Sequence, residues 1–345
     1  MRTGMIALVC AAAAVVALGA SGATALAGEG RPADGGAANP LTLAVIGDTP
    51  YGEAQVAGFP ELVADIDADP KVRLVLHLGD IKNGSSTCTD ERFLDLRALY
   101  ETFNDPFVYT PGDNEWTDCH RAAAGGYLPT ERLVRLREIF YPEPGRSLGG
   151  REVSVLTQAA EAGFESYVEN QLWMRSQVVF STVHVVGSNN GLAPWFDGAE
   201  TSAQTRLRLA EFEEREQANL AWLDRTFELA EREDAAGVVL AMQADMFFGA
   251  PNDGFAATVE PIADLAGDFD GPVLLLEGDT HRFLFDRPLG SAPNLTRIVV
   301  EGETASEWLR LNIDPRRPGL FAWQRRAELI RPLVGTFPSR ARFEM

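Results

Sequence analysis

The chain has 345 residues, 46% hydrophobic and 23% charged, with a formal net charge of −20. That length allows one large domain or two ordinary ones, and the composition is globular, not disordered. The acidic balance excludes a broad nucleic-acid or anionic-membrane surface, and only four histidines and three cysteines exclude a histidine-rich metal cage or a cysteine-dense scaffold.

Arg2 is the only charge before Glu29, and an apolar run from Met5 to Leu18 leads to Ala25-Leu26-Ala27. This pattern predicts a signal peptide over 1–27 with cleavage after Ala27. The alternative, a membrane anchor, fits worse because the run is short and broken by Gly19, Ser21 and Gly22. No transmembrane anchor is then expected after cleavage, and the protein is expected to be secreted or periplasmic. Residues 28–40 read as a flexible linker. Cys10 falls in the leader, which leaves Cys88 and Cys119. In an exported chain these form a disulfide most simply, the alternative being two buried free thiols.

From Pro40 onward apolar runs alternate with amphipathic ones. Strands are predicted over Leu41–Gly47, Arg73–Gly79, Phe107–Thr110, Val178–Gly187, Gly237–Gln243 and Val273–Gly278. Helices are predicted over Val56–Ala68, Arg92–Phe103 and Gln204–Glu233. Leu295–Val300 and Leu309–Ile313 read as a terminal hairpin region. Interleaved strands and helices indicate an α/β fold. Residues 141–176 show no strong period and are read as a lid or substrate-selecting insertion within a domain spanning 41–315, with 316–345 as a C-terminal extension.

Four strand ends read AVIGDTP, LHLGDIK, VYTPGDNE and LLLEGDTH, placing Asp48, Asp80, Asp113 and Asp279 just past apolar runs. In open α/β sheets the carboxyl ends of strands form the ligand crevice. Four carboxylates converging there would repel one another unless a cation sat between them. The residues alone therefore point to a divalent-metal site with His281 beside it; taken singly, aspartate after glycine is also ordinary turn chemistry. His77 and His184 lie inside strands and read as core residues.

This ordered set resembles the calcineurin-like metallophosphoesterase family, whose pattern runs Asp-x-His, Gly-Asp-x-x-Asp, Gly-Asn-His-Glu, a lone His, then Gly-His-x-His. The pieces HLGDIKNG and TPGDNEW carry the likeness best. The resemblance implies a four-layer α/β/β/α sandwich of two mixed sheets. It also implies metal ligation by Asp48, Asp80, Asp113, Gln243, Asp279 and His281. The departures are many. Pro50 stands where the first histidine belongs, Asn83 near the next aspartate, Asp113 for the asparagine ligand, and Asn114 for the histidine that assists the leaving group. Gln243 replaces the lone histidine and Asp279 the first histidine of the last motif.

An oxygen-rich donor set favours Mg, Mn or Ca over Zn or Fe, and the lost imidazoles leave open whether one or two ions bind. Asn114, His120 and Lys82 are the candidate catalytic residues. Asn114 holds the family position, although an amide does not titrate usefully. His120 follows Cys119 and is a candidate replacement acid. The Lys82 ammonium is a candidate stand-in for a metal or an anchor for phosphate. Arg121 and Arg282 are weaker candidates for phosphate contact, because arginine is abundant in this chain. A Cys88–Cys119 bridge would pin the Asp80 loop to the Asp113 loop.

No GxGxxG, GxxxxGK, HExxH or GxSxG motif occurs in the mature chain. The leading expectation is an exported metal-dependent phosphoesterase acting on a phosphorylated small molecule or a phosphodiester through metal-activated water, with no specific nucleic-acid surface. The alternative is a non-catalytic ligand-binding protein on the same fold.

Overall fold

The computed structural model describes residues 39–327, apart from 197 and 305. The expected signal peptide, nearly all of the expected linker and residues 328–345 lie outside those described residues. In chain order the elements begin β1 (Leu41–Ile46), α1 (Gly52–Asp67), β2 (Val72–His77), α2 (Asp90–Tyr100), β3 (Phe107–Tyr109), α3 (Pro129–Phe140), β4 (Leu156–Thr157), β5 (Gln171–Arg175) and β6 (Val178–Thr182). They continue with α4 (Ser202–Arg232), β7 (Gly237–Ala241), α5 (Ala256–Asp268), β8 (Val273–Glu277), β9 (Leu284–Asp286), β10 (Leu295–Val299), β11 (Glu307–Ile313) and β12 (Phe321–Ala327).

Local chemistry sets several boundaries. Thr89 caps α2 by accepting from the Arg92 N–H at 3.3 Å, with Asp90 and Glu91 against the positive end of the helix. A reciprocal cap between Thr201 and Gln204 opens the 31-residue α4. Pro129 starts α3, where its missing N–H costs nothing.

Two sheets form, in the orders β12-β11-β1-β2-β3 and β4-β5-β6-β7-β8-β10-β9. The strands β1, β2 and β3 run parallel, as do β6, β7, β8 and β10, while the remaining strands pair antiparallel at the sheet flanks. Leu43, Val45, Leu76, Val239 and Leu274 meet between the sheets. Phe59, Leu62, Phe93, Leu96 and Leu136 of α1, α2 and α3 cover the outer face of the first sheet. Trp222, Leu223 and Phe227 of α4 and Ile262 of α5 cover that of the second. Each large side chain buried this way contributes roughly 1.5–3 kcal/mol. The result is the expected four-layer α/β/β/α sandwich of two mixed sheets.

Three expectations are corrected. Leu295–Val300 and Leu309–Ile313 do not form a hairpin: β10 pairs with β8 and β9 in the second sheet, and β11 with β1 and β12 in the first. Alternating side chains identify a strand without naming its partner. Residues 316–327, read as the start of an extension, instead carry β12, which completes the first sheet. Residues 141–176, read as a lid or substrate-selecting insertion, are packed into the core instead of covering it as a lid. Tyr141 and Leu148 enter the core under the helices of the first sheet, Val155 and Trp173 pack between the sheets, and Leu172 packs under α4. Short strands joined by long turns leave too little periodic sequence to reveal that burial.

Among the described residues no helix is long and apolar enough to cross a membrane.

Candidate metal centre

The parallel strands β1, β2, β3, β7 and β8 deliver Asp48, Asp80, Asp113, Gln243 and Asp279 to one end of the sandwich. One ligand atom each from Asp48, Asp80 and His281 lie within 4.8 Å of one another, and so do atoms from Asp80, Asp113 and Asp279. Asp80 belongs to both clusters. The expected carboxylates are thus brought together.

The backbone there is unusual. Asp48, Asp80, Asp279 and His281 have φ of 51°, 57°, 72° and 56°, a left-handed conformation that L side chains rarely adopt. Each costs roughly 1 kcal/mol or more, and such residues concentrate at functional sites. Asp48 is anchored on both sides: its N–H donates to Gly79 O at 2.9 Å, and its carbonyl accepts from Glu303 N at 2.8 Å. Its carboxylate accepts from Asp279 N at 3.0 Å.

Asp80 carries more hydrogen bonds. Oδ2 accepts from Tyr51 Oη at 2.9 Å and from Asn114 Nδ2 at 2.6 Å, while Oδ1 accepts from Asn114 N at 3.1 Å. Behind it, Glu115 Oε1 accepts from Asp80 N at 3.1 Å, Gly112 N at 2.6 Å and Tyr109 Oη at 2.8 Å. Glu115 Oε2 is buried without a hydrogen-bond partner.

Beside Asp279, Gln243 Nε2 donates to Oδ1 at 3.2 Å, and Gln243 Oε1, expected as a metal ligand, accepts instead from Gly187 N at 2.6 Å. Gly187 begins the turn after β6. A Cβ there would come 2.7 Å from Asp279 Oδ1 and 3.0 Å from Asp113 Cγ, so only glycine fits. The next residue, Ser188, donates to Asp113 Oδ2 at 2.6 Å. Ser188, Asn189 and Asn190 are all left-handed. Asn190 is locked by the buried Arg215 of α4, whose Nη1 donates to Asn190 Oδ1 at 2.6 Å. His281 completes the rim, its Nε2 3.6 Å from Asp48 Oδ1 and its Nδ1 3.5 Å from Glu303 Oε2.

Burial and repulsion from neighbouring acids act on Asp48, Asp80, Asp118 and Asp279. Burial first, then Asp279, pushes Asp48 well above the usual range; burial first, then Asp113 and Glu115, does the same to Asp80. Burial and then Asp113 push Asp279 up to about 7 and Asp118 to about 8. Burial lowers Lys82 to about 8 against the pull of Glu115, Asp80, Asp118 and Asp113. This is the electrostatic signature of a group of acids that a divalent cation would relieve. Four carboxylates, one imidazole and a glycine-cleared floor fit a hard divalent ion.

The other expected residues fall as follows. Lys82 is buried beside the cluster, with Nζ 3.2 Å from Asn83 O. Asn114 lies within the site, but its amide is spent on Asp80 and Tyr51. His120 bonds Thr117 O at 2.6 Å in its own turn and is hydrogen-bonded to none of the site carboxylates. Arg121 pairs with Asp118 at 2.6 Å at the site margin, and Arg282 is exposed. Cys88 and Cys119 form the expected disulfide, with Cα atoms 5.8 Å apart.

His77 is a core residue, as read: Nε2 donates to Thr49 O at 2.8 Å, Nδ1 accepts from Gly79 N at 3.1 Å, and burial lowers its pKa to about 4. His184 is buried against Glu169 at 2.8 Å, and Trp116 is a packing residue set edge-on to it at 5.5 Å. Sequence reading missed Tyr51 and Glu303. Tyr51 stands three residues after Asp48, a proximity that could have marked it; Glu303 had no signal.

A model of the calcineurin-like phosphoesterase family matches residues 41–283. No curated protein matches the sequence. Similar solved structures include a dimetal phosphatase from Danio rerio, 12% identical with TM-score 0.49, covering 83% of this chain and 96% of that one. They also include GAP50, the anchor in the inner membrane complex of Plasmodium, 9% identical with TM-score 0.43, covering 84% of this chain and 89% of that one. Purple acid phosphatase PPD1 from seeds of yellow lupin, Lupinus luteus, is 10% identical with TM-score 0.43, covering 86% of this chain and 55% of that one.

Proposed function

Because the chain belongs to the calcineurin-like phosphoesterase family over residues 41–283, we propose that it is an exported hydrolase that cleaves a phosphate ester with a divalent metal. The observation that carries the reading is the meeting of two acidic clusters at Asp80. The metal would be held by ligands drawn from these clusters, that is, from Asp48, Asp80, Asp113, Asp279 and His281. When bound, it would supply a water nucleophile near neutral pH and neutralise charge on the phosphoryl oxygens.

The chain's own residues set the rest. Ser188 and Gln243 hold Asp113 and Asp279 in place. Lys82 and Arg121 bring positive charge to the side of Asp113 and Asp118, which supports an anionic phosphate there. Asn114 cannot donate a proton to a leaving group, because an amide does not titrate in the working range. Substrates with good leaving groups are therefore favoured, whether monoester or diester. The oxygen-rich donors support Mg, Mn or Ca over Zn or Fe. Export is supported by the leader pattern of residues 1–27 and by the Cys88–Cys119 disulfide, a bond that persists in oxidising compartments.

The test is hydrolysis of phosphomonoesters and phosphodiesters with Mg²⁺, Mn²⁺ and Ca²⁺ in turn. Turnover should require one of these ions, stop with chelator, and be lost in Asp80→Ala. Metal binding without turnover on any ester would instead support the ligand-binding alternative.

A further inference from the structure

We propose that Tyr51 and Asn114 act together as a clamp on Asp80 that limits the centre to one ion, held by Asp80 Oδ1, Asp113 and Asp279. The proposal rests on the reading of the site as a metal centre. Asp80 is the member shared by the two clusters, so serving two ions would need two free lone pairs on its carboxylate, whether on one oxygen or on both.

The two oxygens are not equally free. A carboxylate oxygen offers two lone pairs. Oδ2 receives the Tyr51 hydroxyl at 2.9 Å and the Asn114 amide at 2.6 Å, which fills both. The amide's second hydrogen goes to Tyr51 Oη at 2.9 Å. That bond fixes the phenol's direction: it accepts from Asn114 and donates to Asp80. All three groups are buried, so water does not compete for the ring of hydrogen bonds. Oδ1 accepts only from Asn114 N and keeps one lone pair.

The two oxygens also face different neighbours. A Cβ on Gly112 would lie 2.1 Å from Oδ1 and 2.8 Å from Gln243 Cγ, which puts Oδ1 on the side of Asp113 and of the glutamine that holds Asp279. Oδ2 is bonded to Tyr51, whose ring meets His281 edge-on at 5.2 Å. The free lone pair thus serves the Asp80–Asp113–Asp279 cluster, an all-oxygen set suited to a hard ion with water completing its shell. The Asp48–Asp80–His281 cluster is closed by the clamp. Tyr51 is here a positioning residue, acting through Asp80.

The experiment is Mn²⁺ counting on the full metal-free chain by equilibrium dialysis, read together with its electron paramagnetic resonance spectrum. Wild type should bind one equivalent and show the six-line signal of an isolated Mn²⁺. His281→Ala should keep that one equivalent, and Asp279→Asn should lose it. Tyr51→Phe removes one donor from Oδ2 and should admit a second equivalent with a spin-coupled spectrum. Two equivalents in wild type, loss of the ion in His281→Ala, or an unchanged single equivalent in Tyr51→Phe would each overturn the clamp while leaving a metal centre standing. No Mn²⁺ bound by wild type would overturn the metal-centre reading itself, and the clamp with it.

Discussion

The Ser188 hydroxyl donates to Asp113 Oδ2 at 2.6 Å from a backbone held at φ 53°. A serine from the turn after β6 thus sets the rotamer of a carboxylate at the end of β3. Partners that orient metal ligands typically carry about 10–100-fold in affinity. Ser188→Ala is therefore expected to weaken Mn²⁺ binding by roughly tenfold in a calorimetric titration. Its far-UV circular dichroism should match wild type. Unchanged affinity would show that Asp113 is positioned without the serine.

Two glycines make a paired test of crowding. Gly187→Ala places a methyl 2.7 Å from Asp279 Oδ1 and 3.0 Å from Asp113 Cγ, and these hydrogen-bonded carboxylates cannot retreat without losing their alignment. Metal affinity should fall by at least about tenfold. Gly58 lies inside α1 with nothing within 4 Å of its would-be Cβ. Gly58→Ala should leave metal binding alone and stabilise the fold by roughly 0.5–1 kcal/mol in urea denaturation.

Stability of the metal-free protein should depend on pH with a definite sign. The folded-state pKa of Asp48 and Asp80 is raised well above the usual range, that of Asp279 to about 7 and that of Asp118 to about 8. In the unfolded chain these acids ionise at about 4. Between those limits the folded chain holds protons that the unfolded chain has released, so stability falls as pH rises. Differential scanning fluorimetry of the metal-free protein should show Tm dropping from about pH 5 to about pH 8, and saturating Mg²⁺ should flatten the slope. A metal-free Tm that climbs across this window would refute the electrostatic account of the site.

Glu115 accepts from two backbone amides and the Tyr109 hydroxyl while fully buried. Glu115→Ala strands three buried donors, each worth about 1–3 kcal/mol when unsatisfied. It should destabilise the fold by more than about 3 kcal/mol. Glu115→Gln keeps one acceptor oxygen and should lose much less. Chemical denaturation of the two variants separates a structural anchor from a dispensable acid.

The Cys88–Cys119 disulfide closes a sequence separation of 31 residues and ties the loop after Asp80 to the turn after Asp113. Breaking it by Cys88→Ser/Cys119→Ser should cost roughly 3 kcal/mol. Because both loops carry candidate ligands, Mn²⁺ affinity should drop alongside Tm; a fall in Tm alone would mean that the strands position the ligands unaided.

Much of this centre was legible from strand ends, because a Gly-Asp step after an apolar run has a local cause: a sharp turn and a short acid at the carboxyl edge. The positions of Asp48, Asp80, Asp113 and Asp279 followed from that rule. Tyr51 did not, since its phenol finds Asp80 across 29 residues by way of helix and strand placement. The same holds for Glu303, which reaches His281 from a loop after β10. Helix α3 escaped notice because Arg132 stands on its buried face beside Leu133 and Leu136, and α5 because Pro261 lies within it. Arg132 is nonetheless buried, its charge met by Asp90 at 2.8 Å, a pairing no local pattern announces.

Strand β1, which delivers Asp48, has one neighbour close in sequence and one very distant, with Leu41 opposite Ile313. The Asp48 carbonyl likewise waits for the Glu303 amide. A ribosome makes residue 48 long before residue 303, so the nascent chain carries the first acid of the site for most of its synthesis without half of the scaffold that holds it. Pairings this distant form slowly, after the intervening chain has collapsed. The centre is therefore among the last parts of the molecule to assemble, and a chain stopped short of β11 would own every acid of the site yet lack the strand that brings the first of them to rest.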